Sequence, residues 1–231
     1  MKIAVIIVAA GSSTRLKGRV RKPYRLIKGK PMLLHSIRTF SKIPSVSQII
    51  IAIHPDDRQR IDNLFKSQIT NHTSSRNHRD SVRGKFRIET AIGGATRSHS
   101  VYNALQAVDD GIDIVLVHDA ARPFVERADI IRLIGVVRHK GAAILARPVT
   151  DTIKSAGKRL RIDRTIPRNT LWAAQTPQGF KKEIILKAYR LRQRHLADYT
   201  DDAGIVESAR KTVYIVKGSA SNIKITTPVD L

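Results

Sequence analysis

The chain of 231 residues contains no cysteine, and only 5% of its residues are aromatic. The absence of cysteine excludes disulfides, thiolate nucleophiles and thiolate metal sites. Because aromatic residues are scarce, we expect a core built from Ile, Val, Leu and Ala. No apolar run reaches the roughly 18 residues of a membrane-spanning helix, and the N-terminal apolar stretch is too short and too weakly basic for a signal peptide. We therefore expect a cytoplasmic protein without a membrane partner.

Positive charge is what the chain has in excess. Lys and Arg number 42 against 19 Asp and Glu, which gives a net charge of +23. Such an excess attracts polyanions, so nucleic acids, anionic membranes and phosphorylated substrates are all candidate partners. A nucleic-acid-binding protein is one alternative, and it predicts binding that weakens steeply with salt. However, the basic residues are scattered and stacking aromatics are few, so we expect no specific nucleic-acid partner.

Short apolar runs rich in β-branched residues predict strands that are buried on both faces. They cover residues 3–8, 48–53, 86–92, 114–118, 142–149 and 212–216. Apolar residues with helical spacing lie between them, at 32–40, 61–65, 101–108 and 130–137. This alternation predicts an α/β fold with a mostly parallel sheet and helices on both faces. Ligands bind such sheets at the carboxyl ends of the strands.

Two segments interrupt the alternation. Residues 67–85 are polar and basic, and their few apolar residues show no periodicity, which predicts a surface loop. Residues 150–170 alternate weakly around a glycine turn, which predicts a projecting β-hairpin arm. A projecting hairpin cannot bury itself, and a second copy of the chain is the simplest partner surface. We therefore expect a single domain over 1–231 that forms a homodimer through the 150–170 arm.

The turn after the first strand reads AAGSSTR, residues 9–15, and its small residues allow backbone N–H groups to approach an anion. Its spacing matches neither GxxxxGK[ST] nor GxGxxG. Five cations follow between Arg15 and Tyr24. An ordinary polar loop between a strand and a helix would explain the small residues. Such a loop does not require the two cations Arg15 and Lys22. We interpret this loop as a candidate phosphate site.

Three further stretches fall at or near predicted strand ends. GGATRSHSV (93–101) has glycines that permit close approach of a flat ring or a ribose. HDAARPFV (118–125) supplies a carboxylate and a guanidinium. NIKITTP (222–228) alternates, which predicts that Ile223 and Ile225 are buried and that Lys224 faces the opposite side. A mere turn, a capping Asp or a solvated Lys would account for each stretch taken alone.

Taken together, the motifs resemble the 2-C-methyl-D-erythritol 4-phosphate cytidylyltransferase family over residues 3–231. They are AAGSSTR, RKPY, GGATRSHSV, VHDAARPFV, PVTDTIK, PRNTLWAAQTPQGF, TDDAGIVE and NIKITTP, in this order. The resemblance implies a Rossmann-like nucleotidyltransferase fold and a homodimer made through the arm. It also implies Mg²⁺-dependent transfer from CTP to the sugar phosphate, with release of pyrophosphate and with Mg²⁺ held mainly by the CTP phosphates.

The resemblance also assigns roles to individual residues. It implies catalytic roles for Arg15, Lys22, Arg168 of the neighbouring subunit and Lys224. Contacts to CTP would come from Ala9, Ala10, Gly11, Gly94, Ala95, Ser100, Asp119 and Ala120. Contacts to the sugar phosphate would come from Arg122, Thr152, Thr176 and Thr200.

The sequence departs from the family pattern at Ser13, Pro23 and Ala95, where relatives commonly have glycine, glutamine and an acidic residue. None of these changes removes a charge that the chemistry needs. A cytidylyltransferase for another polyol phosphate, such as ribitol 5-phosphate, is the nearest alternative function. Relatives continue beyond TTPVDL, and some are fused to a downstream enzyme of the same pathway. A larger bifunctional protein is therefore a further expectation.

Overall fold

The computed structural model describes residues 1–11, 20–68 and 86–230. The strands are β1 Ile3–Val8, β2 Leu26–Ile27, β3 Lys30–Pro31, β4 Val46–Ile53, β5 Arg87–Ile92, β6 Ile114–Asp119, β7 Ala142–Pro148, β8 Ile153–Ala156, β9 Ile162–Ile166, β10 Trp172–Lys181 and β11 Tyr214–Lys217. The α-helices are α1 Met32–Ser41, α2 Arg58–Gln68, α3 Arg97–Leu105, α4 Arg127–Lys140, α5 Lys182–Leu191 and α6 Asp202–Ser208. No helix in these ranges is long and apolar enough to cross a bilayer.

The main sheet has seven strands in the order β11-β7-β10-β6-β1-β4-β5. Strands β6, β1, β4 and β5 pair in parallel, and β11 is parallel to β7. Strand β10 is antiparallel to both of its neighbours, β6 and β7. The α/β fold and the mostly parallel sheet are therefore confirmed, and each of the six apolar runs forms a strand within about two residues of its expected bounds.

Helices cover both faces of the sheet, which explains why its strands are continuously apolar. In β1, Val5 and Ile7 face a cluster that contains Leu33 and Phe40 of α1 and Leu133 of α4. The alternate residues Ala4 and Ile6 face a second cluster with Val101 and Leu105 of α3 and Tyr189 of α5. Residues Ile3–Ile7 are fully buried. Since neither face meets water, the sequence of β1 has no polar alternation.

Strand β10 and helices α5 and α6 were not predicted. Strand β10 lies in the middle of the sheet, yet it buries the polar side chains of Gln175, Thr176 and Gln178. These residues break the apolar pattern by which a buried strand is recognised in a sequence. Helix α5 buries Ile185, Ala188 and Tyr189, whose spacing is helical. That spacing was the available signal for α5.

Two local predictions were wrong. Residues 222–227 form no strand, and Ile223 is 42% exposed whereas Ile225 is fully buried. The segment is held by single contacts, such as the bond from the Ile225 amide to the Ala121 carbonyl (2.8 Å), so no alternation is imposed. The loop predicted over 67–85 begins too early, because α2 extends to Gln68. Its remaining residues, 69–85, lie outside the described residues.

The predicted hairpin is present. Strands β8 and β9 form a separate antiparallel two-stranded sheet, and the Gly157 amide bonds to the Arg161 carbonyl at 3.0 Å across the turn. Leu160 at the tip is 90% exposed and Ile162 is 58% exposed. Two large apolar side chains at a projecting tip are typical of a surface that packs against a partner. That this arm makes a dimer stays a prediction.

Two glycines provide a matched test of the packing between β10 and α4. A Cβ on Gly179 would lie 2.8 Å from Val137 Cγ2 and 2.9 Å from Leu116 Cδ2, whereas a Cβ on Gly135 in α4 meets nothing within 4 Å. We expect Gly179→Ala to lower the free energy of unfolding by about 1–3 kcal/mol through overpacking. Gly135→Ala should raise it by about 0.5–1 kcal/mol because alanine favours the helix. Urea unfolding of both variants measures this, and a stabilising Gly179→Ala would contradict the packing described.

Candidate active site

A cavity of about 610 Å³ opens at the carboxyl edge of the parallel strands. The ends of β1 and β6 and the connection between β5 and α3 form its walls, which is where an open α/β sheet binds its ligands. Ten residues assigned from the sequence line it. They are Ala9, Ala10, Gly11, Lys22, Gly94, Ala95, Ser100, Asp119, Ala120 and Lys224.

Of the other assigned residues, Arg15 lies outside the described residues. The rest, which are Arg122, Thr152, Arg168, Thr176 and Thr200, are not part of this lining. Thr152, Thr200 and Arg168 are exposed, and the Arg168 guanidinium donates to the Thr150 carbonyl. Their roles stay predictions.

One wall of the cavity is a close contact between two loops. Gly93 follows β5, and a Cβ at this position would lie 2.3 Å from Ala10 Cβ and 3.2 Å from the Ile53 carbonyl oxygen. Next to it, the Gly94 amide donates to Ser100 Oγ at 3.0 Å. The glycine is thus required because the chain after β5 lies directly against Ala10 and the end of β4, and no positive φ is involved. The two loops therefore meet closely at this wall.

Asp119, at the end of β6, is the acidic residue that lines the cavity, and two cations hold it. Arg97 Nε donates to Oδ1 at 2.9 Å and Lys224 Nζ donates to Oδ2 at 2.7 Å. Burial alone would raise the pKa of Asp119, but the charges of Arg97 and Lys224 outweigh it and hold the pKa well below its usual range. The carboxylate therefore stays ionised at every physiological pH.

Arg97 also extends away from the cavity to a second carboxylate. Its NH2 group donates to Asp202 Oδ2 at 2.9 Å, and Asp202 is fully buried in the first turn of α6. The other oxygen of Asp202 accepts a bond from the Tyr189 hydroxyl at 2.6 Å. Burial would lower the pKa of Arg97, yet Asp202 and Asp119 raise it well above its ordinary value. One guanidinium thus joins α3, β6 and α6.

Lys22 is positioned by buried neighbours. It begins a 3-10 helix, Lys22–Tyr24, in which Pro23 and Tyr24 are buried. Its ammonium donates to the Ile225 carbonyl at 3.0 Å. This bond joins the segment after the first loop to the segment that carries Lys224. Two lysines distant in sequence therefore reach the same cavity.

Behind the cavity, three groups fix the backbone around Asp119. Thr176 Oγ1 accepts from the Asp119 amide at 3.0 Å and lies 3.2 Å from His118 Nδ1. His118 Nε2 lies 3.1 Å from the Arg122 carbonyl oxygen. All three contacts are satisfied when the imidazole is neutral, because Nδ1 then accepts from the hydroxyl and Nε2 donates. Thr176, assigned to the sugar phosphate from the sequence, thus has a bond to the backbone in this structure.

Arg122, the other residue assigned to the sugar phosphate, lies beside this group. Its guanidinium donates to the carbonyl oxygens of Asn222 at 2.7 Å and Ala174 at 3.1 Å. These bonds join the end of β6 to β10 and to the segment of Lys224. Its contact with a substrate stays a prediction.

The family model of 2-C-methyl-D-erythritol 4-phosphate cytidylyltransferase matches residues 3–231. The chain belongs to this family. A relative of that name from Alkaliphilus oremlandii is 38% identical over 231 residues, covering 100% of this chain and 92% of the relative. A relative from Desulfotalea psychrophila named "Bifunctional enzyme IspD/IspF" is 38% identical over 229 residues, which cover 99% of this chain and 54% of that protein.

The fold agrees with solved members of the cytidylyltransferase family. The crystal structure of 4-diphosphocytidyl-2C-methyl-D-erythritol synthase from Anaerococcus prevotii superposes with a TM-score of 0.82 at 30% identity. The superposition covers 99% of this chain and 92% of that chain. The nucleotidyltransferase fold inferred from the motifs is therefore confirmed.

The described residues of this family member form no protein cage for a metal. Within residues 1–11, 20–68 and 86–230, no three His, Asp or Glu side chains come together in a way that could hold a metal ion. Asp119 already accepts from Arg97 and Lys224. These side chains fit a hard cation that is bound mainly by the phosphate oxygens of a ligand, with at most one ligand from the protein.

Sequence reasoning did not assign roles to Arg97, His118, Asp202 and Asn222. Each lies inside a quoted motif, so the motifs were the available signal. What the motifs do not show is the pairing, since Arg97 and Asp202 are 105 positions apart. The Asn222 side chain likewise donates to the Thr176 carbonyl across 46 positions at 2.9 Å.

His118 should make the protein sensitive to mild acid. The imidazole is fully buried, and burial lowers its pKa from 6.5 to about 4. Between these values the unfolded chain binds a proton that the folded chain does not, so stability falls as the pH drops from about 6.5 to 4. The loss should reach about 3 kcal/mol at most. Urea unfolding at pH 7 and pH 5 measures it.

His118→Gln keeps an amide N–H and an oxygen acceptor but does not titrate. Its stability should therefore change less between pH 7 and pH 5 than that of the wild type. His139→Gln, at an exposed position in the last turn of α4, is the matched control and should retain the wild-type slope. An unchanged slope in His118→Gln would show that His118 does not carry the acid sensitivity.

Proposed function

We propose that this chain transfers the cytidylyl group of CTP to 2-C-methyl-D-erythritol 4-phosphate and releases pyrophosphate. The observation that carries the proposal is the convergence of Lys22, Lys224 and Asp119 on one cavity, in a chain that matches the family along its length. The reaction is one step, in which a phosphate oxygen of the polyol attacks the α-phosphorus of CTP in line and the bond to the β-phosphate breaks.

The charge pattern suits this chemistry. The nucleophile is already an anion, so neither a general base nor a covalent enzyme intermediate is needed. The obstacle is repulsion between two phosphorylated substrates while charge grows on the oxygens of the reacting phosphorus. Fixed cations lower that barrier, and losing one such donor typically costs about 3–4 kcal/mol. In this proposal Lys22 and Lys224 provide this stabilisation.

The walls of the cavity suit the parts of a nucleotide. The small residues of 9–11 and 93–96 leave a narrow slot for the cytosine, which would be read largely through backbone groups. Asp119 and Ala120 would contact the ribose, and Lys22 would face the triphosphate together with Arg15. Mg²⁺ bound to the triphosphate would neutralise part of its charge. The polyol phosphate would then approach from the side of Lys224 and Arg122.

The arm would complete the site in a dimer. Arg168 is exposed at the base of the arm, and it is absent from the cavity of its own chain. Docking of the exposed arm on a second copy would bring Arg168 into the neighbouring site. A cytoplasmic location and a fusion to a downstream enzyme also remain predictions, and the bifunctional relative supports the second of these.

Lys22→Ala should lower turnover at least a hundredfold and leave the unfolding temperature near that of the wild type, because a charge is lost at the reacting phosphorus. Pyrophosphate release from CTP and 2-C-methyl-D-erythritol 4-phosphate measures it, with ATP and GTP as nucleotide controls. Lys42→Ala, an exposed lysine after α1, is the control and should keep wild-type turnover. Near-normal turnover in Lys22→Ala would refute its role, and efficient use of ribitol 5-phosphate alone would refute the substrate.

Mixing two inactive variants tests whether Arg168 acts across the dimer. In a heterodimer of Lys22→Ala and Arg168→Ala chains, one of the two sites receives both intact residues. Random exchange of subunits in an equal mixture should therefore restore about a quarter of the wild-type sites. Sedimentation analysis confirms the dimer in each sample. If the mixture stays inactive although the subunits exchange, Arg168 does not act in trans.

A further inference from the structure

We propose that Arg97 is a positioning residue that allows Lys224 to leave Asp119 and bind the reacting phosphate. The inference rests on the proposed function and deepens it. It concerns a residue that touches neither the nucleotide phosphates nor the polyol in the assignment above. If the proposal is right, removing Arg97 makes Asp119 hold Lys224 more strongly, and this can be measured.

Arg97 stands at a position that is electrostatically unfavourable for a cation. It is the first residue of α3, where the positive end of the helix dipole repels a cation. Two carboxylates compensate for this, Asp119 at 2.9 Å and Asp202 at 2.9 Å. The cost at the helix terminus is therefore offset only while both acids are in place.

Arg97 and Lys224 divide the two oxygens of Asp119 between them, but they differ in mobility. The Lys224 side chain is 41% exposed and projects on a flexible stem at the cavity surface. The Arg97 side chain is 22% exposed and is held at its other end by Asp202. Lys224 is thus the partner that can move when an anionic substrate enters.

The anchor of Arg97 is itself rigid. The Asp202 side chain is fully buried and accepts from Tyr189 as well as from Arg97. The Gln178 side-chain oxygen accepts from the amides of Asp202 and Ala203 at 3.1 and 2.9 Å. These bonds fix the first turn of α6 against β10. The guanidinium that neutralises Asp119 is therefore held in place independently of Lys224.

This arrangement determines what happens to Asp119 when Lys224 moves to the phosphate. With Arg97 present, the carboxylate keeps one hydrogen-bonded cation, which Arg97 shares between Asp119 and Asp202. Without Arg97, departure of Lys224 would leave a buried carboxylate unpaired, which is strongly unfavourable. Lys224 would then stay on Asp119. Arg97 thus raises turnover through Lys224 without contacting the phosphate.

The test uses Arg97→Gln together with Asp202→Asn, so that no buried acid is left without a partner. We expect this double variant to fold and to lose about tenfold to a hundredfold in kcat, as is typical when a supporting residue behind a reacting group is removed. Adding Asp119→Asn should then raise kcat again, because Lys224 is no longer retained, while KM for CTP increases. A purely structural role for Arg97 would give no recovery of kcat.

A kcat within threefold of wild type in the double variant, or a triple variant no faster than the double, would overturn the proposal. If the double variant does not fold, Arg97→Lys decides the matter. A lysine at this position can neutralise Asp119 without spanning to Asp202, so kcat should stay within about tenfold of wild type at a lower unfolding temperature. A loss as large as that of Lys224→Ala would contradict the proposal.

A second readout is independent of catalysis. Trace acetylation of the unliganded protein followed by peptide mass spectrometry measures the reactivity of Lys224, with the exposed Lys42 as internal reference. Tighter pairing with Asp119 in the double variant should lower the reactivity of Lys224 severalfold, because the paired amine is less accessible to the reagent. An unchanged reactivity would refute the inference. Failure of the wild type to release pyrophosphate would instead refute the proposed function.

Discussion

The structure around the cavity depends on one buried carboxylate between two cations. Asp119 ends β6, and its partners Arg97 and Lys224 come from the start of α3 and from the C-terminal segment. An ion pair of low exposure requires both of its members, because either charge alone would destabilise the fold. The carboxylate therefore determines where three separate parts of the chain can lie. It also brings positive charge to the edge of the sheet at which phosphates would bind.

Much of the fold can be predicted from local sequence patterns. Strands β1, β4 and β6 are apolar throughout because helices cover both faces, and such runs are recognisable without knowledge of their partners. Strand β10 is different because its buried side chains are polar. The side chains of Gln175, Thr176 and Gln178 bond to backbone or side-chain groups that lie 23 to 58 positions away in the sequence. Hydrogen-bond partners that far apart in the sequence cannot be inferred from a local pattern.

The site was predictable in part for a similar reason. Most residues that line the cavity stand in short motifs, and the resemblance of those motifs to a family located ten of them. The strand expected around Lys224 was wrong because the segment is held by two isolated bonds instead of a neighbouring strand: the Arg122 guanidinium donates to the Asn222 carbonyl, and the Ile225 amide donates to the Ala121 carbonyl. The pairing of Arg97 with Asp202 could not be inferred, because many arginines and several acids in the sequence were equally available.

The central claim is that the cavity beside Asp119 binds the nucleotide. The most direct measurement is a crystal structure of the protein with CTP and Mg²⁺. The account predicts triphosphate oxygens within hydrogen-bond distance of Lys22, the ribose facing Asp119 and the cytosine between the loops of Ala10 and Gly94. CTP bound instead at the opposite edge of the sheet, in the cavity of about 690 Å³ beside Met1 and Arg138, would contradict it.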